Sequence, residues 1–236
     1  MSEATGVCLD GVWKFYGDYP AVRDCTFAIP SGACCACLGR NGAGKTTLLR
    51  ILAGLTPFQR GSVRVLNEQP RSERARRHTG FLGHGISLYE DLSARENLSF
   101  FARLAGTPFQ RQTADQWLSR VGLGRVADMP VRQLSRGMRQ RLALARTFAP
   151  APQVLILDEP FTSLDDRAID TLTGLLGQAR ESGATIILST HQLSEALAVA
   201  SHVLLIENGR IRYSGERTPA MSADPGLLYR SYLQPE

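Results

Sequence analysis

The run Gly39-Arg40-Asn41-Gly42-Ala43-Gly44-Lys45-Thr46, with Thr47 behind it, has the composition that holding phosphate requires. Glycines let backbone N–H groups turn inward on an anion without a Cβ in the way. Lys45 adds a point charge for the outer phosphates, and the Thr46 hydroxyl can ligate a magnesium ion bridging them. The chemistry expected here is the binding of a nucleoside triphosphate. A second candidate is Asp158-Glu159-Pro160, where two carboxylates follow the aliphatic residues Val154-Leu155-Ile156-Leu157. Asp158 would hold the magnesium ion, and Glu159 is placed to polarise an attacking water.

A third candidate is Leu134-Ser135-Arg136-Gly137-Met138. Ser135 suits the N-cap of a helix whose apolar positions are Met138, Leu142, Ala145 and Ala149, and such an N-terminus attracts anions through its dipole and free N–H groups. Taken alone, it reads as no more than an ordinary capped helix.

These groups need elements to hold them. Residues 33–38 are apolar and read as a strand, and Leu48, Leu49, Ile51 and Leu52 repeat at helical spacing, so the glycine run sits between strand and helix. Residues 154–157, 185–189 and 203–206 are further strands, separated by helical stretches at 167–180 and 193–201. That alternation predicts an α/β fold with a parallel sheet covered on both faces, with Asp158 and Glu159 at the carboxyl end where ligands bind.

Upstream, residues 6–12 and 25–29 read as short strands, 17–20 as a loop, 56–61 as a turn and 62–66 as an antiparallel strand. The N-terminal third is therefore expected to be a β-rich lobe around the strand, loop and helix. From residue 93 to 148 the spacing turns helical, with Leu98, Phe101, Ala102 and Ala105 on one face and Ala114, Trp117, Leu118 and Val121 on another. Pro108, Gly122, Gly124 and Pro130 punctuate this helical insert.

The 236 residues, 43% hydrophobic, suffice for one large globular unit with subordinate lobes, and none of the apolar runs approaches the roughly 20 residues that span a bilayer. No signal peptide is visible, so the expected location is cytosolic unless a partner holds the chain at a membrane. The net charge of +5 is modest, and the cluster Arg71, Arg74, Arg76 and Arg77 reads as a solvated face. Five cysteines without export signals argue against a disulfide framework, and Cys34 and Cys37 read as core hydrophobes.

The glycine run from Gly39 to Thr47, the Leu134–Met138 segment followed by Arg139-Gln140-Arg141, residues 154–160, Ser163-Leu164-Asp165 and His191 stand in the order and spacing of the ATP-binding cassette family, which the chain resembles over nearly its whole length. The resemblance implies a P-loop NTPase core with a mostly parallel sheet, an N-terminal antiparallel β subdomain and an inserted α-helical subdomain. In one nucleotide-binding domain, residues 1–83 would hold the β lobe and P-loop core, 84–150 the helical subdomain and 151–236 the rest of the core.

The resemblance also implies roles. Residues 39–47 are similar to the Walker A loop, and Asp158 with Glu159 to the Walker B magnesium ligand and catalytic carboxylate. Tyr16 resembles the aromatic that stacks on adenine, His191 the switch histidine at the γ-phosphate, and Ser163-Leu164-Asp165 the loop that crosses a dimer interface. Ser135 and Gly137 would complete the nucleotide site of a second subunit. ATP and Mg²⁺ are the implied cofactors. The implied partners are a second copy of the chain and integral membrane permease subunits at the cytoplasmic face of the inner membrane, with no nucleic acid.

Two departures stand out. The signature reads Ser-Arg-Gly-Met where Ser-Gly-Gly-Gln is the commonest form, which keeps both phosphate-touching positions. His84, in Phe81-Leu82-Gly83-His84, stands where the family usually has the glutamine that links the ATP site to the membrane partner. Leu82-Gly83-His84, residues 92–98, residues 130–135, Glu159-Pro160-Phe161-Thr162 and Thr190-His191-Gln192 look like the ATPase subunit of the haem exporter of cytochrome c maturation. Drug, polysaccharide and lipid exporters share several of these segments. A soluble cassette ATPase of iron–sulfur assembly is the more distant alternative.

Overall fold

The computed structural model describes residues 5–83, 87–106 and 109–232. Along the chain the elements are β1 (Thr5–Tyr16), β2 (Tyr19–Pro30), β3 (Cys34–Leu38), α1 (Lys45–Leu52), β4 (Arg60–Val65), α2 (Glu73–Arg77), β5 (Thr79–Leu82), α3 (Ala94–Leu104) and α4 (Arg111–Arg120). They continue as α5 (Arg136–Phe148), β6 (Val154–Asp158), α6 (Asp166–Glu181), β7 (Thr185–Ser189), α7 (Leu193–Val199), β8 (His202–Glu207), β9 (Arg210–Glu216), α8 (Pro219–Ala223) and α9 (Leu227–Tyr232).

Two sheets result. The smaller is antiparallel in the order β2-β1-β4. The larger runs β5-β6-β7-β3-β8-β9, parallel throughout except for the antiparallel pair β8–β9. Every residue of β3, β6 and β7 is buried, as strands covered on both faces must be. Strand alternation then divides the cysteines of β3. Cys34 joins Ala36 and Leu38 in one core cluster, while Cys35 and Cys37 enter another that also holds Val7, Leu9 and Ile29 of the antiparallel sheet. Cys34 and Cys37 thus point to opposite faces and cannot pair.

The N-terminal strands form their own antiparallel sheet, as expected, and β3, the strand feeding the glycine run, hydrogen-bonds to β7 and β8 in the large, mostly parallel sheet. The anticipated four-residue loop at 17–20 is a tight turn between two 12-residue strands, with Gly17 at φ 57° and Tyr16 paired to Tyr19. Strands β5 and β9 were not expected. β5 is short and contains Gly80, and β9 alternates exposed and half-buried residues without an apolar run.

The helical insert has a core of its own, including Leu98, Leu118, Leu123 and Leu142. A capping box starts α3. Ser93 Oγ accepts the Glu96 N–H at 3.2 Å, and Glu96 Oε2 accepts the Ser93 N–H at 2.8 Å. Helix α5 touches α3, α4 and β5, and so runs between insert and core. Among the described residues no helix is long and apolar enough to cross a membrane.

Candidate functional site

The glycine run leaves β3 at its carboxyl end and enters α1, as the residue pattern predicts. Gly39 (φ 152°) passes so close to β8 that a Cβ would lie 2.3 Å from the Ile206 carbonyl oxygen. Gly44 (φ 108°) is the N-cap of α1, and a Cβ there would lie 2.5 Å from the Ala21 carbonyl oxygen. Only glycine fits either position. Helix α1 has no side-chain cap and no acidic residue in its first turn, so its leading N–H groups and the positive end of its dipole face the cleft. That is the donor arrangement a phosphate needs. Lys45 is buried, its ammonium donating to the carbonyls of Gly39 at 2.7 Å and Arg40 at 3.1 Å.

Across from α1, β6 delivers Asp158 at its last position. Asp158 Oδ1 accepts from Thr46 Oγ1 at 3.2 Å and from Ser189 Oγ at 2.6 Å. Ser189 closes β7 and is fully buried. It also accepts the Glu159 N–H on its hydroxyl, at 3.1 Å, while its own carbonyl lies 3.1 Å from the same N–H. These bonds hold Glu159 at φ 53°, a left-handed conformation that costs a residue with a Cβ about 1–2 kcal/mol. The Glu159 side chain is thereby aimed at His191, whose Nδ1 lies 2.9 Å and whose backbone N 3.3 Å from Glu159 Oε2.

Tyr16, Asn41, Gly42, Ala43, Gly44, Lys45, Thr46, Thr47, Glu159 and His191 line one cleft of about 690 Å³. Gly39 and Arg40 contribute through the carbonyls that hold Lys45, and Asp158 through Thr46. Ser135, Gly137 and Asp165 do not line it. Ser135 caps α5 by accepting the Met138 N–H at 3.2 Å, which leaves its hydroxyl proton to donate elsewhere. Gly137 lies against the Ser163 carbonyl, and Asp165 caps α6 by accepting the Ala168 N–H at 2.8 Å. His84 lies outside the described residues.

Sequence reasoning missed several members of the site. Tyr19, Ala21, Arg50 and Thr162 complete the lining of the cleft, and Ser189 holds the Asp158 carboxylate and the Glu159 backbone N–H. Ser189 was findable as the polar residue at the carboxyl end of an otherwise apolar parallel strand. Ala21 carries no such signal, since it meets the loop through its backbone carbonyl.

The donor set suits a hard cation. Thr46 and Asp158 offer a hydroxyl and a carboxylate on one spot, and no group of three His, Cys, Asp or Glu side chains able to hold a metal exists among the described residues. A magnesium ion would therefore be shared with the oxygens of a bound phosphate chain, whose charge it would neutralise. The protein's own part would be electrostatic and positional: N–H dipoles and Lys45 facing phosphate, and a carboxylate held by a histidine beside it.

Residues 22–162 match the family model described as ABC transporter. The chain is 38% identical over 206 residues to the Nod factor export ATP-binding protein I of Ralstonia nicotianae, covering 86% of this chain and 64% of that one. It is 36% identical to the sulfate/thiosulfate import ATP-binding protein CysA of Mycobacterium bovis (93% and 64%) and 37% to the taurine import ATP-binding protein TauB of Escherichia coli (92% and 91%). It thus spans just under two thirds of the first two relatives. Among solved structures, an ATP-binding subunit of an ABC transporter superposes with a TM-score of 0.84 at 27% identity over 94% of this chain and 93% of that one. A dimeric ATP-binding cassette in a post-hydrolysis state, bound to ADP and Pi, gives 0.82 at 26% identity over 90% and 99%.

Proposed function

Because the chain belongs to the ABC transporter family, we propose that it is the nucleotide-binding subunit of a transporter: an ATPase that closes as a homodimer on two ATP molecules and drives separate membrane permease subunits. The observation that carries this reading is how the motifs divide in space. The phosphate loop, the carboxylates and His191 share one cleft, while Ser135 and Gly137 stand outside it. A second copy, donating from the Ser135 hydroxyl and the N-terminus of its α5, would close that cleft over the phosphates.

In this reading the loop and Lys45 bind the triphosphate, Thr46 and Asp158 hold Mg²⁺, and Tyr16 receives the base. Glu159 orients and deprotonates the attacking water, with His191 holding the carboxylate toward the γ-phosphate. Removing that carboxylate leaves binding intact and stops hydrolysis. Glu159→Gln should therefore accumulate as ATP-bound dimers in sedimentation experiments with ATP and Mg²⁺. A variant that stays monomeric under those conditions would sink the clamp.

The permease would dock on the insert, where half-exposed Tyr89 packs its ring 4.8 Å from Phe100 and 5.7 Å from Phe101, and Arg146 lies over Phe101. Such an exposed aromatic patch beside the route from α5 suits a partner's short helix. For direction and cargo we favour export of haem, on the segments at 82–84, 92–98, 130–135 and 159–162. The names of the relatives include both an exporter and importers. Co-purification from native membranes tests this reading: haem-handling membrane subunits support it, an import permease overturns the direction, and soluble partners alone overturn the transporter.

A further inference from the structure

Beyond Tyr16, a second aromatic ring lies at the mouth of the nucleotide cleft, and nothing assigns it a role. Tyr19 is paired with Tyr16 across the tight turn Gly17-Asp18, which puts both side chains on the same face of the hairpin. The two rings are 51% and 57% exposed, among the most exposed large apolar side chains of the described protein, and both line the cleft that holds the phosphate loop. Lys14 Nζ lies 4.7 Å from the centre of the Tyr16 ring, so one face of that ring is already taken by a cation. Among the described residues, Tyr19 meets no aromatic ring and no cation in this way.

The position of this hairpin end is set by the backbone. The Ala21 carbonyl sits against Gly44 and Gly209, and Arg23 N–H donates to the Gly209 carbonyl at 2.7 Å, so β2 is pressed onto the loop two residues after Tyr19. Two residues of strand span about 7 Å, so Tyr19 stands off along β2 from the contact between Ala21 and the loop rather than at it. An exposed aromatic pair at that remove has the chemistry of a stacking platform for a planar base.

We propose that Tyr19 is a second base-binding residue, and that the adenine of ATP is held by the Tyr16–Tyr19 pair rather than by Tyr16 alone. This rests on the nucleotide reading above and extends it. Stacking on an aromatic ring contributes about 1–3 kcal/mol per base, so losing one ring should weaken ATP binding by about 5- to 150-fold.

The test compares MgATP with inorganic tripolyphosphate, which carries the phosphates and no base, by calorimetry on the whole chain. Tyr19→Ala should weaken MgATP binding at least about fivefold and leave tripolyphosphate binding unchanged, with Tyr19→Phe restoring ATP affinity. Unchanged ATP affinity in Tyr19→Ala, or an equal loss for both ligands, overturns the proposal, the latter marking a displaced hairpin. Wild-type protein that binds neither ligand overturns the nucleotide reading itself.

Discussion

His191 Nδ1 stands 2.9 Å from Glu159 Oε2, and the same oxygen also faces the His191 backbone N–H at 3.3 Å. One residue of the segment after β7 thus grips the carboxylate at the end of β6 with side chain and backbone together. The carboxylate is mostly buried and the imidazole mostly exposed, so the histidine forms the outer wall of the pair.

If the two act as a unit, their losses do not add. Glu159→Gln and His191→Ala should each lower the ATPase kcat by about 10²- to 10⁴-fold, and the double variant should be no slower than the worse single one. Steady-state phosphate release on the three variants measures this, and multiplicative losses would show independent roles.

Ser189 should govern the metal requirement. Its hydroxyl donates to Asp158 at 2.6 Å from a fully buried position, and Ser189→Ala leaves that carboxylate short of a donor at a stability cost of about 1–3 kcal/mol. The Mg²⁺ concentration for half-maximal ATPase should rise severalfold, while nucleotide binding without metal stays near the wild-type value. A magnesium titration of both forms decides it.

Gly44→Ala should be far worse than Gly42→Ala. A Cβ on Gly44 meets the Ala21 carbonyl at 2.5 Å in a φ of 108°, whereas one on Gly42 (φ 79°) has no atom within 4 Å. Backbone strain alone costs about 1–2 kcal/mol at Gly42, and Gly44→Ala adds the forced separation of β2 from the loop. Chemical denaturation gives the stabilities, and ATP affinity should fall for Gly44→Ala.

Alkaline pH should loosen the core. Burial pushes the Cys34 and Cys37 thiols from an ordinary 9.0 up to about 12, Lys45 pulling Cys37 back only in part. Below pH 9 both states keep these protons. Between 9 and 12 the unfolded chain releases them and the native one does not, so stability falls with rising pH, by about 1.4 kcal/mol per pH unit for each thiol. Urea unfolding at several pH values should show a shallower fall for Cys37→Ala than for wild type, whatever the offset between the curves at pH 8.

Much of the site was legible because phosphate chemistry constrains neighbours in sequence. Glycine, lysine and threonine must follow one another through a single strand-to-helix turn, and Asp158 with Glu159 must end a single strand, so both motifs are written locally. Ser189 and Ala21 were not, because each acts on a group far away in the chain. Ser189 reaches back 31 residues to Asp158, and the Ala21 carbonyl is pressed against Gly44 and Gly209. Strands β5 and β9 escaped for the opposite reason. Edge positions demand little apolar content, so a four-residue segment with a glycine and an alternating charged one carry almost no local signal.

What the residues put forward alone was therefore the chemistry: which groups could meet a triphosphate, and which elements carry them. Tertiary structure decided the company they keep. It put β3 between β7 and β8, brought Tyr19 beside Tyr16 over the cleft, and left Ser135 and Gly137 outside it. The reason is physical. Spacing along a chain sets which side chains share a face of one strand or helix, but contacts between elements follow from how buried faces pack, and no single segment encodes that.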